Sequence, residues 1–339
     1  MEKKNCLVMF PARAGERQAL AAMEGLEATY AQADWSREQL LEAMGRAQII
    51  LGEPKNEDLP FCTRLELLHS PCSGVNYYLE AGVLPENVLL CSVSGTYGGV
   101  IAQHMLGLLM AVCRRLPEYH SQQLEGRWQW RMYDKQLEYC HVLILGAGDI
   151  GTTLATYLRP LVKKITGMRR VERPYPDCFD DMITPDRLEE ILPQADIVAC
   201  ALPQTAETRQ LLNAHRLGLM KEDAILVNAG RGSLIDQEAL LSLLEEGKFF
   251  GVGLDVTTPE PLPRDHPLWK APRTLITPHA SGNTFAPDSP LVDKIWDFML
   301  ENLGRYLAGE PLCSRIDRTT GYRALERPMA ADNSNEVRL

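Results

Sequence analysis

Three side chains suited to acid–base chemistry each follow a candidate strand in the second half of the chain. Arg231 lies in the run Asn-Ala-Gly-Arg-Gly, Glu260 comes after Leu-Asp-Val-Thr-Thr-Pro, and His279 lies in Thr-Pro-His-Ala-Ser-Gly. A neighbouring carboxylate favours the imidazolium form of a histidine, which can then donate a proton to a developing alkoxide near neutral pH. Open α/β sheets bind ligands at the carboxyl ends of their strands, so we expect Glu260 and His279 to converge on the side occupied by Arg231.

Each of these residues also has a plainer interpretation. A lone arginine in a turn is commonly part of a surface salt bridge, although glycines on both sides of Arg231 suit the docking of a carboxylate against a fixed cation. A lone histidine is more often structural. We assign that role to the six histidines that have no comparable neighbours, namely His69, His104, His120, His141, His215 and His266.

The strongest local signal is a glycine-rich turn between a strand and a helix. The predicted strand at 141–145 runs into Gly146-Ala-Gly148-Asp-Ile-Gly151, and a predicted helix follows at 152–158. In such a turn the first glycine permits the tight bend, the second lets the backbone approach a pyrophosphate, and the third permits close packing of helix on strand. The free N–H groups of the helix N-terminus attract phosphate. A bare motif of this kind can be a plain structural turn, but its position here favours dinucleotide binding.

Two arginines follow the next strand, at the position where dinucleotide-binding domains distinguish NAD from NADP. NAD enzymes place an Asp or Glu there, which accepts hydrogen bonds from the ribose 2′-hydroxyl. Here the strand at 164–168 is followed by Arg169 and Arg170, with Arg173 close behind. A guanidinium can pair with a 2′-phosphate through two parallel hydrogen bonds, so NADP(H) is favoured over NAD(H). The alternative is a pair of solvated surface arginines.

Alternating strands and helices must position these side chains. Short apolar runs predict strands at 6–10, 48–52, 65–69 and 88–93, and a second series at 141–145, 164–168, 197–201, 224–227, 251–255 and 274–277. Helical spacing predicts helices at 16–23, 36–43 (with Ser36 as N-cap), 100–116, 152–158 and 291–307. Such alternation predicts mostly parallel sheets covered by helices on both faces.

Three segments differ from this alternation. The helix predicted at 100–116 is apolar on nearly every side, so we expect it to be buried between domains or between subunits. The segment 125–136 is aromatic and basic, and we expect an exposed arm. The last residues, 323–339, are polar and aperiodic, and we expect much of this tail to be loosely ordered.

Composition narrows the class of protein. A chain of 339 residues suffices for two domains, and 45% hydrophobic with 24% charged residues is typical of soluble globular proteins. A formal net charge of −10 disfavours nucleic acid or an anionic membrane surface as partner. No apolar run is long enough for a membrane span, and the N-terminal apolar run is too short for a signal peptide. Nine cysteines without a C-x-x-C pair or metal-ligand spacing suit a reducing compartment, so we expect a cytoplasmic protein without a metal site.

The motifs in combination resemble those of a known family. Gly-x-Gly-x-x-Gly, Asn-Ala-Gly-Arg-Gly, Leu-Asp-Val-x-x-x-Glu-Pro and Thr-Pro-His-x-Ser-Gly occur in the order found in the D-isomer-specific 2-hydroxyacid dehydrogenases, and the resemblance covers roughly residues 45–322. It implies an α/β protein with two doubly wound parallel-sheet domains. A Rossmann dinucleotide-binding domain at 98–285 would be inserted into a flavodoxin-like substrate domain formed by 1–97 and 286–339, with the active site in the cleft between them.

The resemblance also implies roles for individual residues. Arg231 would anchor the substrate carboxylate and polarise the oxo group, while His279 would be the general acid in reduction and the general base in oxidation. Glu260 would hold the imidazole in the right tautomer and raise its pKa. The segment 72–76 resembles the family's substrate loop. The residues implied to bind substrate are Ser73, Gly74, Val75, Arg231 and His279. Those implied to contact the cofactor are Gly146, Gly148, Asp149, Ile150, Gly151, Arg169, Arg170, Leu202, Pro203, Thr208, Ala229, Gly230, Arg231, Asp255, His279, Ser281 and Gly282.

Some positions depart from the family's pattern. Asn76 and Gln103 stand where the family usually has Asp and Glu, which leaves those two supporting roles open. The pair Arg169-Arg170 and the ending at 309–322 resemble the short glyoxylate and hydroxypyruvate reductases. The implied function is hydride transfer between NADP(H) and a small 2-oxo acid or 2-hydroxy acid of the glyoxylate or hydroxypyruvate type. The implied assembly is a homodimer formed through the region 98–135.

Two other functions stay open. One is an NAD-linked dehydrogenase of a larger D-2-hydroxy acid. The other is a dinucleotide-sensing binding protein similar to the corepressors that share this fold, because a fold does not determine a function. A short-chain dehydrogenase is disfavoured, since no Tyr-x-x-x-Lys follows the cofactor segment at a suitable place.

Overall fold

Parallel strands alternate with helices along most of the chain. A computed structural model describes residues 3–80, 82–130, 133–282, 286 and 289–324, and within these it contains twelve strands and nine α-helices. Residue 285 of the predicted domain boundary, residues 131–132 of the predicted arm and residues 325–339 of the predicted tail lie outside the described residues. Two compact units form. One is built from the chain up to Ser94 and from Lys294 onward, and the other runs from Gly95 to Asp293.

The first unit has a five-stranded parallel sheet. Its strands are β1 (Lys4–Val8), β2 (Leu26–Tyr30), β3 (Ile49–Leu51), β4 (Leu67–His69) and β5 (Leu89–Cys91), and they lie in the order β2-β1-β3-β4-β5. Its helices are α1 (Ala14–Ala21), α2 (Arg37–Arg46) and most of α9 (Pro290–Ala308). The strand order reverses between β1 and β3, and a doubly wound sheet binds ligands outside the carboxyl ends of the strands at such a point.

The core of this unit forms where apolar strands are covered by helices. Every residue of β3 and β4 is buried, as expected for parallel strands packed on both faces. Trp296 of α9 is 1% exposed and donates its indole N–H to the carbonyl oxygen of Pro11 at 2.9 Å. At the start of α2, the hydroxyl oxygen of Ser36 accepts the backbone N–H of Gln39, which confirms the predicted N-cap.

The second unit has a seven-stranded parallel sheet. Its strands are β6 (His141–Leu145), β7 (Lys164–Met168), β8 (Asp181–Ile183), β9 (Ile197–Cys200), β10 (Ile225–Asn228), β11 (Gly251–Leu254) and β12 (Thr274–Ile276). They lie in the order β12-β11-β10-β9-β6-β7-β8, so the order reverses between β6 and β9. Its helices are α3 (Gly98–Cys113), α4 (Leu116–Leu124), α5 (Asp149–Leu158), α6 (Leu188–Ile191), α7 (Ala214–Leu219) and α8 (Gln237–Glu245). The predicted fold class of two doubly wound parallel-sheet α/β domains is confirmed.

The long apolar helix is shorter than predicted and is buried against its own sheet. α3 ends at Cys113 rather than at residue 116, because Arg115 adopts a left-handed conformation with φ of 52° before α4 begins. A Cβ atom on Gly253 would lie 3.2 Å from the Leu108 side chain, and one on Gly251 would lie 2.6 Å from Val112. The sheet glycines therefore let α3 pack closely on β11, which buries one face of this helix within its own unit.

Two strands, β2 and β8, are missing from the sequence prediction. Each is at an edge of its sheet, and each is only partly buried. Glu27 in β2 and Asp181 in β8 interrupt the apolar run that predicts a parallel strand, whereas the edge strands β5 and β12 contain no charged residue and are predicted. Among the described residues, no helix combines the length and the apolar character needed to cross a membrane.

Candidate active site

His279 and Glu260 lie on the segments that leave two neighbouring strands. β11 and β12 run parallel, with Leu254 paired with Ile276, so the segments after them start side by side. The Nδ1 atom of His279 lies 2.8 Å from Oε2 of Glu260. The other carboxylate oxygen accepts the backbone N–H of Thr257 at 2.9 Å. The imidazole and the carboxylate are therefore within hydrogen-bonding distance, and the carboxylate is held on both of its oxygens.

The electrostatics of this pair favour proton donation by the histidine. The hydrogen bond to Glu260, together with its negative charge, raises the pKa of His279, while burial and the positive charge of Arg231 oppose the rise. Burial opposes ionisation of Glu260, but the hydrogen bonds from His279 and Thr257 and the charge of Arg231 lower its pKa. An imidazolium beside an ionised carboxylate is the state that a general acid needs before it donates.

A second carboxylate fixes the backbone around His279. The side chain of Asp255 is buried and accepts a hydrogen bond from the hydroxyl of Thr277 at 2.6 Å. Its two oxygens also accept the N–H groups of Ala280 at 2.8 Å and Ser281 at 3.1 Å. The Asp255 carbonyl oxygen accepts the N–H of His279 at 2.7 Å, and His279 adopts a left-handed φ of 51°. These bonds suit Asp255 to hold the histidine segment in place.

His104 is a residue of this site that sequence reasoning misses. It lies on α3, and its Nε2 atom is 3.0 Å from the hydroxyl oxygen of Thr277 and 3.4 Å from Oδ1 of Asp255. The prediction that His104 has no carboxylate neighbour is therefore wrong, and so is the same prediction for His215, whose Nε2 atom lies 3.6 Å from Oε2 of Glu189 at the surface. Thr277, the partner of His104, is 173 positions away in the sequence, so no local spacing could have indicated the contact.

Arg231 lies in a tight loop after β10. A Cβ atom on Gly230 would lie 2.6 Å from the carbonyl oxygen of Leu202, and one on Gly232 would lie 1.9 Å from that of Thr257, so the backbone leaves room only for glycine on either side of the arginine. The Nη1 atom of Arg231 donates to the Gly230 carbonyl at 2.7 Å. Thr257, which Gly232 approaches so closely, donates its N–H to Glu260, so the Arg231 loop lies beside the histidine–glutamate pair and the charge of Arg231 acts on both members.

The glycine-rich turn is tightly packed at its first and third glycines and open at the second. Gly146 has φ of 102°, and a Cβ there would lie 2.8 Å from the Ala201 carbonyl oxygen. A Cβ on Gly151 would lie 2.1 Å from the carbonyl oxygen of Gly146, so this glycine permits helix α5 to pack on the turn. Nothing lies within 4 Å of the Cβ position of Gly148, which is exposed. The turn thus leaves open space at its middle glycine. Helix α5 begins directly after that glycine, with Asp149, Ile150 and Gly151 as its first residues.

The two arginines after β7 differ in their surroundings. Arg169 is half-buried, and its guanidinium donates to the carbonyl oxygens of Ala147 and Pro174, both at 2.9 Å. Because Ala147 belongs to the glycine-rich turn, this bond places the Arg169 guanidinium beside that turn. Burial and the charge of Arg173 lower the pKa of Arg169, so a second cation lies close by. Arg170 is exposed.

The other residues implied to contact the cofactor follow strands of the same sheet. They come after β9, β10 and β12 and are Leu202, Pro203, Thr208, Ala229, Gly230, Ser281 and Gly282. The buried hydroxyl of Thr208 donates to the carbonyl oxygen of Pro203 at 2.7 Å and accepts the N–H of Thr205 at 2.9 Å, which fixes the segment after β9.

The residues implied to form the substrate loop belong to the first unit. Ser73 and Gly74 are half-buried and Val75 is buried, and all three follow β4. Asn76 begins a short helical turn, Asn76–Leu79. The Arg231, Glu260 and His279 group is formed within the second unit alone.

Comparison with known proteins agrees with this geometry. Residues 106–281 match the model of the family described as D-isomer specific 2-hydroxyacid dehydrogenase, NAD binding domain. A glyoxylate/hydroxypyruvate reductase A of Klebsiella pneumoniae (strain 342) is 29% identical over 241 residues, which are 71% of this chain and 75% of that protein. A D-isomer specific 2-hydroxyacid dehydrogenase family protein from Aeromonas salmonicida subsp. salmonicida A449 superposes with a TM-score of 0.81 at 31% identity, over 94% of this chain and 100% of that one.

A second solved structure is a D-isomer specific 2-hydroxyacid dehydrogenase from Xanthobacter autotrophicus Py2 in complex with NADPH and MES. It has a TM-score of 0.78 at 26% identity and covers 94% of this chain and 100% of that one. The family model spans more than half of the chain. The chain therefore belongs to the D-isomer specific 2-hydroxyacid dehydrogenase family, and it is an oxidoreductase that uses a nicotinamide dinucleotide.

Proposed function

We propose that the protein reduces a small 2-oxo acid of the glyoxylate or hydroxypyruvate type, with NADPH as the preferred cofactor. The observation that carries this proposal is the His279 imidazole, which is paired with Glu260 at 2.8 Å and is subject to the positive charge of Arg231. The name of the Klebsiella pneumoniae relative, a glyoxylate/hydroxypyruvate reductase, supports the substrate class.

The roles of the side chains follow from their chemistry. The dinucleotide, when bound, supplies the hydride that reduces the oxo carbon. Arg231 holds the substrate carboxylate and polarises the oxo group through its fixed positive charge. Nδ1–H of His279 donates to Glu260, so Nε2 is the atom that gives a proton to the developing alkoxide. In the reverse direction the neutral imidazole takes that proton back.

The second unit has the residues that would hold the cofactor, and we assign it that role. The turn Gly146–Gly151 would bind the pyrophosphate, with the segments after β9, β10 and β12 beside it. Arg169 and Arg170 would bind the 2′-phosphate, a role supported by the position of the Arg169 guanidinium beside Ala147. The NADPH complex of the Xanthobacter autotrophicus protein also favours this cofactor.

The first unit would supply the remaining substrate contacts. We assign the backbone of Ser73, Gly74 and Val75 to the substrate carboxylate, since these residues follow β4 at the carboxyl edge of a parallel sheet. We also propose that the protein is a homodimer formed through the region 98–135. The exposed aromatic side chains there, Trp128 and Trp130 above all, support this assignment.

The proposed activity is tested by following absorbance at 340 nm with NADPH, and separately with NADH, against glyoxylate, hydroxypyruvate and larger 2-oxo acids. Turnover of a small oxo acid with NADPH is the expected result. A preference for a branched oxo acid with NADH would support a dehydrogenase of larger hydroxy acids instead. Tight cofactor binding without any turnover would support a dinucleotide sensor.

The cofactor preference has its own test. Replacing Arg169 and Arg170 together by Ala should weaken NADPH binding by about tenfold or more relative to NADH, because charge-assisted bonds to the 2′-phosphate are lost. Arg159→Ala serves as a control, since this arginine pairs with Asp180 at the surface. If the double variant binds NADPH and NADH with equally reduced affinity, the two arginines stabilise the glycine-rich turn and do not bind the 2′-phosphate.

A further inference from the structure

Glu53 lies where the strand order of the first unit reverses. β3 ends at Leu51, and Glu53 follows two residues later, while β1 runs parallel beside β3 and ends at Val8. Doubly wound sheets bind ligands outside the carboxyl ends of such a strand pair. The side chain of Glu53 is exposed. A carboxylate therefore stands at the edge where this unit is expected to receive a ligand.

Three donors from the neighbouring loop hold this carboxylate. One oxygen accepts hydrogen bonds from the hydroxyl of Ser70 at 3.3 Å and from the phenolic O–H of Tyr77, and the other accepts the thiol of Cys72 at 3.2 Å. The Ser70 hydroxyl oxygen also accepts the backbone N–H of Cys72 at 3.0 Å. The carboxylate is thus fixed against the loop that contains Ser73, the first of the residues assigned to the substrate carboxylate.

Charge and acceptor capacity both remain on Glu53 after these contacts. Burial, then the hydrogen bond to Glu53 and the negative charge of Glu53, raise the pKa of Tyr77, so this phenol stays a neutral hydrogen-bond donor. None of the three donors carries a positive charge that could neutralise the carboxylate. An ionised carboxyl group offers about four acceptor positions, so three donors leave room for one more.

We propose that Glu53 is a specificity-determining residue that accepts a hydrogen bond from a hydroxyl group on the third carbon of the substrate and repels substrates with a second carboxylate there. The inference rests on the proposed function, in which the loop at 73–75 binds the carboxylate of a 2-oxo acid. An oxo acid at that loop is bound beside Cys72, which donates to Glu53. Like charges a few ångströms apart near a protein surface disfavour binding by about tenfold or more.

Three oxo acids that differ only at the third carbon test this role. Pyruvate has a methyl group there, hydroxypyruvate has a hydroxymethyl group and oxaloacetate adds a carboxylate. With the wild-type protein, kcat/KM should be highest for hydroxypyruvate and lowest for oxaloacetate. Glu53→Gln keeps the size of the side chain and removes its charge, so the ratio of kcat/KM for oxaloacetate over pyruvate should rise by about tenfold. Glu53→Ala removes the acceptor, so the ratio for hydroxypyruvate over pyruvate should fall by about tenfold.

Two further variants separate specificity from structure. Glu57→Gln removes an exposed carboxylate from the same unit that pairs with Arg37, and should leave both ratios unchanged. Tyr77→Phe removes one donor but keeps the charge of Glu53, so oxaloacetate should still be disfavoured. If the Glu53 variants lower kcat/KM for all three acids in equal proportion, Glu53 only supports the loop and the inference is wrong. Equal wild-type kcat/KM for pyruvate and oxaloacetate would overturn it as well. If no oxo acid is reduced by the wild type, the proposed function itself fails.

Discussion

The catalytic role proposed for His279 depends on two acids with different tasks. Glu260 accepts from the ring at Nδ1, which sets the tautomer and leaves Nε2 to transfer the proton. Asp255 accepts from the main chain at His279 and at the two residues that follow it, which sets where the ring is placed. Glu260 therefore determines which ring nitrogen of the histidine transfers the proton, and Asp255 determines where the ring lies.

Replacing His279 by Asn should lower kcat for oxo-acid reduction by about 10²- to 10⁴-fold, because the proton donor is lost. Asparagine is the suitable replacement, since it tolerates the left-handed φ of 51° better than most residues do. Stopped-flow kinetics and a separate measurement of NADPH affinity would distinguish the steps, and the affinity should hardly change. His215→Asn, on the surface of α7, is the control. Turnover that stays at the wild-type level would remove His279 from the mechanism.

The pH dependence of reduction should report the bond between Glu260 and His279. The bond raises the pKa of His279, so the reactive imidazolium persists as the pH rises and reduction declines only above the raised pKa. In Glu260→Gln the burial of the ring and the charge of Arg231 act without that opposing acid. The alkaline decline in kcat/KM should then move to lower pH, while Glu245→Gln, with an exposed carboxylate on α8, should leave it in place. A decline at the same pH in both variants would contradict the assignment.

Sequence patterns predict the reacting side chains better than their supporting residues. Arg231, Glu260 and His279 each follow a strand within a short motif, so their convergence follows from the parallel sheet. His104 reaches the same site from α3, and its contact depends on how that helix packs rather than on any local pattern. Likewise, Glu53 and Tyr77 follow the neighbouring strands β3 and β4, and the pairing of these strands brings the two side chains into hydrogen-bonding contact.

At the scale of the elements, the turn that joins β6 to α5 contains one glycine that packing requires and another that is only proposed to contact the cofactor. A methyl group on Gly151 would meet the Gly146 carbonyl oxygen at 2.1 Å, whereas one on Gly148 would meet nothing within 4 Å. The two positions are three residues apart in one motif. Their different surroundings allow the proposed pyrophosphate site to be tested by a matched pair of substitutions.

Gly151→Ala should lower the free energy of unfolding by about 1–3 kcal/mol, the usual cost of overpacking. Gly148→Ala should leave stability nearly unchanged but weaken cofactor binding by about tenfold or more, since a methyl group forced against a ligand costs about 1–3 kcal/mol. Denaturant unfolding and fluorescence titration with NADPH measure the two effects. Full cofactor affinity in a well-folded Gly148→Ala protein would show that the pyrophosphate binds elsewhere.

The element predictions are best where burial alone determines the residue types. The strands β6 and β7 have their predicted bounds because they are buried and apolar throughout or nearly so. The end of α3 is predicted three residues too late, since Leu116 continues the apolar spacing although it belongs to α4. Only the backbone reversal at Arg115 separates the two helices, and an arginine gives no sign of a left-handed conformation.

At the scale of the whole molecule, the segment after α4 has several highly exposed aromatic side chains. Trp128 is 103% exposed, Trp130 74% and Tyr133 72%, and Leu124 at the end of α4 is 75% exposed. Exposed apolar side chains of this kind are what the proposed dimer interface would cover. Replacing Trp128 and Trp130 by Ser should convert a particle of twice the 38.0 kDa chain mass into one of a single chain in sedimentation velocity. A wild-type protein that sediments as a monomer, or a variant that stays dimeric, would contradict the proposed interface. Trp269→Ser, at an exposed tryptophan remote in sequence, is the control.

The hydrogen bonds around Asp255 also bear on how the molecule exchanges its amide protons with solvent. Residues 277–282, which follow β12, have no regular secondary structure, and about half of the His279 side chain is exposed. Yet the amide hydrogens of His279, Ala280 and Ser281 are all bonded to a single buried residue. Exchange at such a position requires local opening, which here would break several bonds at once. In deuterium-exchange mass spectrometry this loop should therefore take up deuterium as slowly as the strand before it. In Asp255→Asn its rate of uptake should rise to that of an exposed loop.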